Sequence, residues 1–429
     1  MEEGMRPGLL ARAAQSALKA ALRVAPVVVV TGARQTGKTT LVRAQPALAQ
    51  RPYLTLDDLT VRLQAQADPE ALVARAPALV IDEVQRAGDL LLAVKRAVDR
   101  DRPRRPGRFV LTGSANLLML RKIGETLAGR AAYVTLRPLT VNELSGAGAT
   151  GVWGDLLGAR FSRWSQVLLD RDAAPADWRQ AVRRGGFPVP AHELTSEADR
   201  ALWFSGYVQT YLERDLPDLR AVADLADFRR LAQAACLRLG ALLNQAELGR
   251  DVGISQPQVH RFLNVLEASY LALRLPAYAV NRTKRLIKAP KLYWCDTALA
   301  LALSGETEPR GAHLENLVLG DLLVWSDLQL PSAQVLYWRT AEGHEVDFVL
   351  ESAQRLLPIE VKAAARVVPA DARGLEVFLD EYGDRAPGGL LLYAGEEVFA
   401  LTRRVLAAPW WRVLSAGGQA RGRAAPRKR

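Results

Sequence analysis

Two groups of residues could do chemistry by their type and spacing. The run Gly32-Ala33-Arg34-Gln35-Thr36-Gly37-Lys38-Thr39, continued by Thr40, satisfies G-x-x-x-x-G-K-[ST] at every position. It follows the apolar stretch Val27–Val30 and leads into Thr40-Leu41-Val42-Arg43, the strand–loop–helix context a phosphate cradle requires. Glycines let backbone N–H groups wrap phosphates, and a helix N-terminus adds a positive dipole end. Lys38 is placed to reach the β and γ phosphates of ATP, and Thr39 to bind Mg²⁺. Ala78-Leu79-Val80-Ile81 reads as a buried strand tipped by Asp82-Glu83. Two carboxylates there are costly unless a cation or water needs them, so Asp82 is expected to hold Mg²⁺ and Glu83 to polarise the attacking water. A further strand, Phe109–Thr112, runs into Ser114 and Asn116, the first and second choices for a γ-phosphate sensor.

The second group lies near the other end. Asp347 sits inside the apolar run Val346–Leu350, and thirteen residues later comes Ile359-Glu360-Val361-Lys362. Strand side chains alternate, so Glu360 and Lys362 share a face. Across a hairpin they form a D…E-x-K pattern, in which Asp347 and Glu360 would ligate Mg²⁺ and Lys362 would orient water. The plain alternative is a half-exposed hairpin carrying a cross-strand ion pair.

Apolar runs alternating with helical patterns must position the first group. The strand candidates Val27–Thr31, Tyr53–Leu56, Ala78–Ile81, Phe109–Thr112 and Tyr133–Leu136 predict a parallel sheet over residues 1–145. The Gly/Ala-rich stretch Ser145–Gly151 reads as a linker into a mainly helical segment, 146–228. Within 229–300, Ser255 and Gln258 make a capping box, and Val259, Phe262, Leu263 and Leu266 recur on one helical face. Gln256, His260 and Arg261, together with Asn264, fall off that face. The segment predicts a winged helix-turn-helix with these residues offered to a DNA groove. Residues 271–300 then hold six basic residues against Asp296, and Arg282, Lys284, Arg285 and Lys288 are candidate phosphate contacts on a wing. A winged helix serving only as a structural or oligomer contact is the alternative. Residues 301–410 return to mixed α and β. In the tail, 411–429, the last fourteen residues carry five basic residues and no acidic ones, and disorder is expected there.

The 429 residues predict two to four domains at roughly 150 residues each. Hydrophobic residues make up 49% and charged ones 24%, which excludes a disordered chain. No run approaches the roughly 18 apolar residues of a membrane helix, and the start lacks a signal-peptide pattern, so a cytoplasmic protein with no membrane partner is expected. Two cysteines and four scattered histidines argue against a disulfide framework or a zinc cluster. The net charge of +11 points to an anionic partner, DNA above all. Only nine residues are Lys, and three of them fall in 271–300, so that basic run is more than an echo of an Arg-rich composition.

The phosphate loop, Leu56-Asp57-Asp58, Ile81–Gln85, Leu111–Ser114, Leu127–Arg130, Gly185–Pro188, Tyr211–Asp215, His344–Asp347 and Ile359–Lys362 together resemble a widespread bacterial and archaeal family. Its members join an AAA+ ATPase to a C-terminal domain of restriction-endonuclease type. The resemblance implies an α/β chain: an AAA+ P-loop NTPase core with a helical lid, a winged helix and an α/β restriction-endonuclease-like domain. It also implies that Arg130 stands at the arginine-finger position and that Glu315 matches the acidic helix residue of the nuclease superfamily, a further metal ligand. ATP and Mg²⁺ are the implied cofactors. A homo-oligomer is implied too, with a hexameric ring as one form it can take. The expected function is an ATPase that binds DNA and remodels or cleaves it. The rival is an ATP-controlled switch on an inactive nuclease-fold scaffold; a metabolic kinase is disfavoured by Glu83, Arg130 and the multidomain plan.

Overall fold

The computed structural model describes residues 9–101, 103–114, 127–210, 225–281, 285, 288–331 and 333–415. Asn116, Arg282, Lys284, the motif Tyr211–Asp215 and the terminal residues 416–429 lie outside them. The chain forms two compact units, one running through Pro138 and including 187–189 and 263–272, the other holding the rest.

In the first unit, β1 (Val27–Thr31), β2 (Tyr53–Thr55), β3 (Leu79–Asp82), β4 (Phe109–Gly113) and β5 (Ala131–Thr135) form one parallel sheet in the order β2-β3-β4-β1-β5. Alternation along the central strands divides the apolar residues between two cores. Val27, Val29, Leu79, Ile81, Phe109 and Leu111 enter one core, while Val28, Val30, Val80 and Val110 enter the other. This explains why the strands read as continuous apolar runs rather than alternating ones. Strand order reverses at β1, and the residues beyond its C-terminal end therefore open into the crevice where such sheets bind ligands.

After the first unit's strands come β6 (Ala272–Leu275) and β7 (Lys291–Trp294), which pair with each other. The second unit's main sheet comprises β8 (Gln334–Arg339), β9 (Glu345–Ser352), β10 (Arg355–Lys362), β11 (Gly389–Tyr393), β12 (Phe399–Ala400) and β13 (Val405–Pro409). These six strands form a mixed sheet in the order β12-β13-β11-β10-β9-β8. β8, β9 and β10 make an antiparallel meander, whereas β10, β11 and β13 run parallel. Leu375, Phe378 and Leu379 of the helix Arg373–Tyr382 share a core with Val346, Leu356 and Leu391 of the sheet. The helix Gly311–Asp327 packs against β8 and β10. Among the described residues no helix is long and apolar enough to cross a membrane.

The first compact unit runs through Pro138, and the helices Trp153–Gly158, Trp164–Leu169 and Trp178–Arg184 cluster with the C-terminal sheet. The Gly/Ala stretch is not a free linker, because buried Gly151 donates its N–H to Asp321 at 2.7 Å. The tail begins later than residue 411: Trp410–Leu414 is a helix whose Trp410, Trp411, Val413 and Leu414 are buried.

Asp321 ties these pieces together. Its Oδ1 accepts from the Gly151 N–H and from the Trp153 indole at 2.6 Å. Burial pushes its carboxyl up to about 7, outweighing the two donors that pull the other way. Folding thus favours the protonated form, and this group's contribution to stability falls as pH rises from about 4 to about 7. Asp321→Asn keeps an acceptor without a buried charge, so its stability relative to the parent should increase across that pH window in chemical denaturation. Asp321→Ala should cost about 1–3 kcal/mol at low pH by orphaning two buried donors.

Candidate functional site

The phosphate loop leaves β1 through Gly32, whose φ of 145° suits glycine, and a Cβ there would stand 2.1 Å from the Leu136 carbonyl oxygen. Gly37 (φ 91°) starts the helix Lys38–Arg43, and exposed Gln35 also has a positive φ of 66°. Ala33 and Thr36 are buried, with the Thr36 hydroxyl donating to the Ala33 carbonyl at 2.9 Å, while Arg34 is half-buried and Thr40 exposed. Arg12, which no sequence motif singles out, braces the loop by donating to the carbonyls of Thr36 (2.9 Å) and Arg137 (2.6 Å).

Lys38 is buried and turned back on its own loop, donating to the carbonyls of Gly32 (3.1 Å) and Ala33 (2.8 Å). Burial pushes its amine down to about 8, against the raising influence of Glu83 and Asp82. An ammonium held by loop carbonyls can exchange them for phosphate oxygens, so the residues present fit a nucleotide triphosphate.

Asp82 is 6% exposed at the tip of β3. Its carboxylate accepts from Thr39 Oγ1 at 3.1 Å and from the hydroxyls of Tyr53 and Thr112. Residue type and spacing do not reveal the last two, although a register signal exists for both. β2 pairs Thr55 with Asp82, and β4 pairs Leu111 with Ile81, bringing Tyr53 and Thr112 beside the acid. Glu83 takes a left-handed backbone (φ 57°, ψ 43°), a strained choice for a non-glycine residue. Its Oε2 accepts from Gln85 Nε2 and from Ser114 Oγ at 3.4 Å, and Gln85 also donates to Ser114 Oγ at 3.1 Å. Ser114 is thus at the site, joined by Gln85, to which the sequence motifs assign no role.

Arg130 stands elsewhere. Val27 at the start of β1 donates its N–H to the Arg130 carbonyl at 3.1 Å, so the residue lies at the opposite end of the sheet from the loop. Five residues of strand at roughly 3.3 Å each separate the two ends. Its guanidinium forms a two-pronged pair with Asp99, at 2.6 and 3.0 Å.

Farther along the chain the capping box of Ser255 and Gln258 forms as expected and starts the helix Gln256–Ala268. Val259, Phe262, Leu263 and Leu266 are buried, while Gln256, His260 and Arg261 are exposed. Lys288 is exposed too. Arg285 requires correction as a wing contact. It is 7% exposed, pairs with Glu351 at 2.5 Å, and donates to the Ala279 carbonyl and to Gln334. A guanidinium buried against its own carboxylate is not offered to a phosphate.

The D…E-x-K residues do come together. β10 runs antiparallel to β9 with Ile359 opposite Phe348, which places Glu360 beside Asp347. Asp347 accepts from the Val361 N–H at 3.0 Å, and Lys362 donates to Glu360 at 2.6 Å. Glu315 of the helix Gly311–Asp327 accepts from the Tyr293 hydroxyl at 3.2 Å. Burial pushes Glu315 and Glu360 up to about 8, with Asp347 adding to both shifts. The unforeseen member is Lys291 of β7, whose buried amine reaches Glu345 and, at 3.3 Å, Asp347. Among the described residues no three His, Cys, Asp or Glu side chains are placed to hold a metal ion.

Residues 24–145 match the family model of an AAA domain. Residues 175–310 and 310–413 match two domains of unknown function, DUF8612 and DUF4143. The Walker-type ATPase PABY2304 of Pyrococcus abyssi is 16% identical, covering 68% of this chain and 94% of its own, at a TM-score of 0.40. Uncharacterized proteins of Mycobacterium tuberculosis and Mycobacterium bovis are each 32% identical over 416 residues, 95% of this chain and 85% of theirs. At that identity and coverage the chain belongs to the family of these two mycobacterial proteins, and its residues 24–145 are an AAA-type P-loop ATPase domain.

Proposed function

We propose that the chain is a Mg²⁺-dependent ATPase whose nucleotide state governs its contact with DNA. The observation that carries this reading is the convergence of Lys38, Thr39, Asp82, Glu83 and Ser114 at the ends of β1, β3 and β4. Lys38 would hold the β and γ phosphates, and Thr39 and Asp82 the Mg²⁺, which supplies charge neutralisation on the phosphates. Glu83 orients the attacking water, and Ser114 and Gln85, both bonded to Glu83, set where its carboxylate points. Glu83→Gln should bind ATP as tightly as the parent, while turnover in a phosphate-release assay falls at least about a hundredfold, the scale of losing a general base. Wild-type turnover in that variant would remove Glu83 from the role.

Arg130 cannot serve the phosphates of its own loop, so it acts on a neighbouring copy in a homo-oligomer. Its pair with Asp99 is partly exposed, and such pairs are readily exchanged for a partner's charge. Arginine fingers contribute roughly 10³–10⁵-fold to turnover. Mixing inactive Arg130→Ala with inactive Lys38→Ala should therefore restore measurable ATP hydrolysis; inactivity of every mixture would mean that Arg130 is not shared between subunits.

The exposed residues Gln256, His260 and Arg261, with Lys288 and the +11 charge, support a DNA contact by a winged helix. The double variant Arg261→Ala/Lys288→Ala should flatten the log–log salt dependence of duplex affinity by about 1.8, roughly 0.9 for each phosphate no longer neutralised. An unchanged slope would place the anionic partner elsewhere. The switch reading, with the C-terminal domain as a scaffold, is favoured over cleavage by one observation, the amine of Lys291 among the acids.

A further inference from the structure

We propose that the acidic centre of the C-terminal sheet carries its own cation, the ammonium of Lys291, and for that reason takes no divalent metal. Glu315, Glu345, Asp347 and Glu360 reach this place from one helix and two adjacent strands. In a metal-dependent hydrolase such acids share a divalent ion. Here Lys291 is 3% exposed, bonded to Glu345 and 3.3 Å from Asp347 Oδ1. Asp347 spends its other oxygen on the Val361 N–H. The lysine of the E-x-K pattern is likewise engaged, as Lys362 donates to Glu360 at 2.6 Å. Two ammonium groups therefore stand where the pattern alone predicts one.

Lys291 is built into this position rather than folded in from the surface. Its strand is held on both sides: the Leu292 N–H donates to the Ala241 carbonyl at 3.1 Å, and the Trp294 N–H to Asn316 Oδ1 at 2.8 Å. Asn316 returns the bond by donating to the Trp294 carbonyl at 2.9 Å. Alternation along β7 puts Lys291 and Tyr293 on one face, and Tyr293 donates to Glu315 in the same centre. A divalent ion would have to share this buried space with a fixed positive charge. Like-charge repulsion is weakly screened there, which turns an attractive set of acids into a closed one.

The test uses the full-length chain without nucleotide, with Mn²⁺ as the probe, read by the free-Mn²⁺ electron paramagnetic resonance signal and by thermal unfolding. The parent and Asp347→Asn should bind Mn²⁺ equally. Lys291→Met, which keeps the stem and removes the charge, should gain a site at least about tenfold tighter than any in the parent. The double variant Lys291→Met/Asp347→Asn should lose that gain. Mn²⁺ binding by the parent that Asp347→Asn abolishes would overturn the proposal, as would a folded Lys291→Met that gains no site. If Lys291→Met does not fold, the comparison of parent with Asp347→Asn decides: an Asp347-dependent site overturns the proposal, and its absence supports it.

Discussion

Asp82 ends a strand whose other residues are wholly buried, and its charge is tolerable there because hydroxyls of Thr39, Tyr53 and Thr112 point at it. Removing a carboxylate from water costs several kcal/mol unless hydrogen bonds or opposite charge replace the lost solvent, on the order of the chain's whole net stability. The order β2-β3-β4 is what brings Tyr53 and Thr112 to either side of the acid. A sheet wound otherwise would leave Asp82 exposed to its own desolvation cost. The phosphate loop depends on the same arrangement, since Thr39 joins the loop's helix to Asp82.

From that point the nucleotide unit reads as a set of restrained groups. Lys38 is held by loop carbonyls, Glu83 by Gln85 and Ser114, and the loop by Arg12. Each restraint is a hydrogen bond between groups of the nucleotide unit itself. The unit also includes residues 263–272, the C-terminal part of the helix that offers Gln256, His260 and Arg261 to solvent. Tyr270 in that stretch donates to Thr31, the last residue of β1, at 2.8 Å.

The second unit solves the carboxylate problem differently at two places. Asp321 takes two N–H donors on one oxygen while its other oxygen stays buried without a partner, and its affinity for a proton is raised, a structural use that ties Gly151 and Trp153 to the helix Gly311–Asp327. The acids around Asp347 are compensated by Lys291 and Lys362. Burial alone does not distinguish a catalytic acid from a structural one; what fills the space between the acids does.

Much of the nucleotide unit was legible in the residues. Val27–Thr31 was bounded to the residue, and the other four strands shifted by no more than two positions, because apolar runs bounded by polar residues have few ways to bury themselves. Lys38, Thr39, Asp82 and Glu83 were equally legible, since loop chemistry and a strand tip are local properties of consecutive residues. Partners from elsewhere were not: Tyr53 and Thr112 reach the site only through sheet order and register, and Arg12 only through the packing of the chain before the first strand, which no local spacing encodes. Arg285 and Lys291 belong to one basic run, and as sequence they are equivalent cations. The sequence by itself determined the phosphate loop, the five strands of the nucleotide unit and which residue types carry charge. Only the tertiary structure decided which charges meet, burying Arg285 against Glu351 and Lys291 among four acids, because a buried charge is set by whatever distant strand packs beside it.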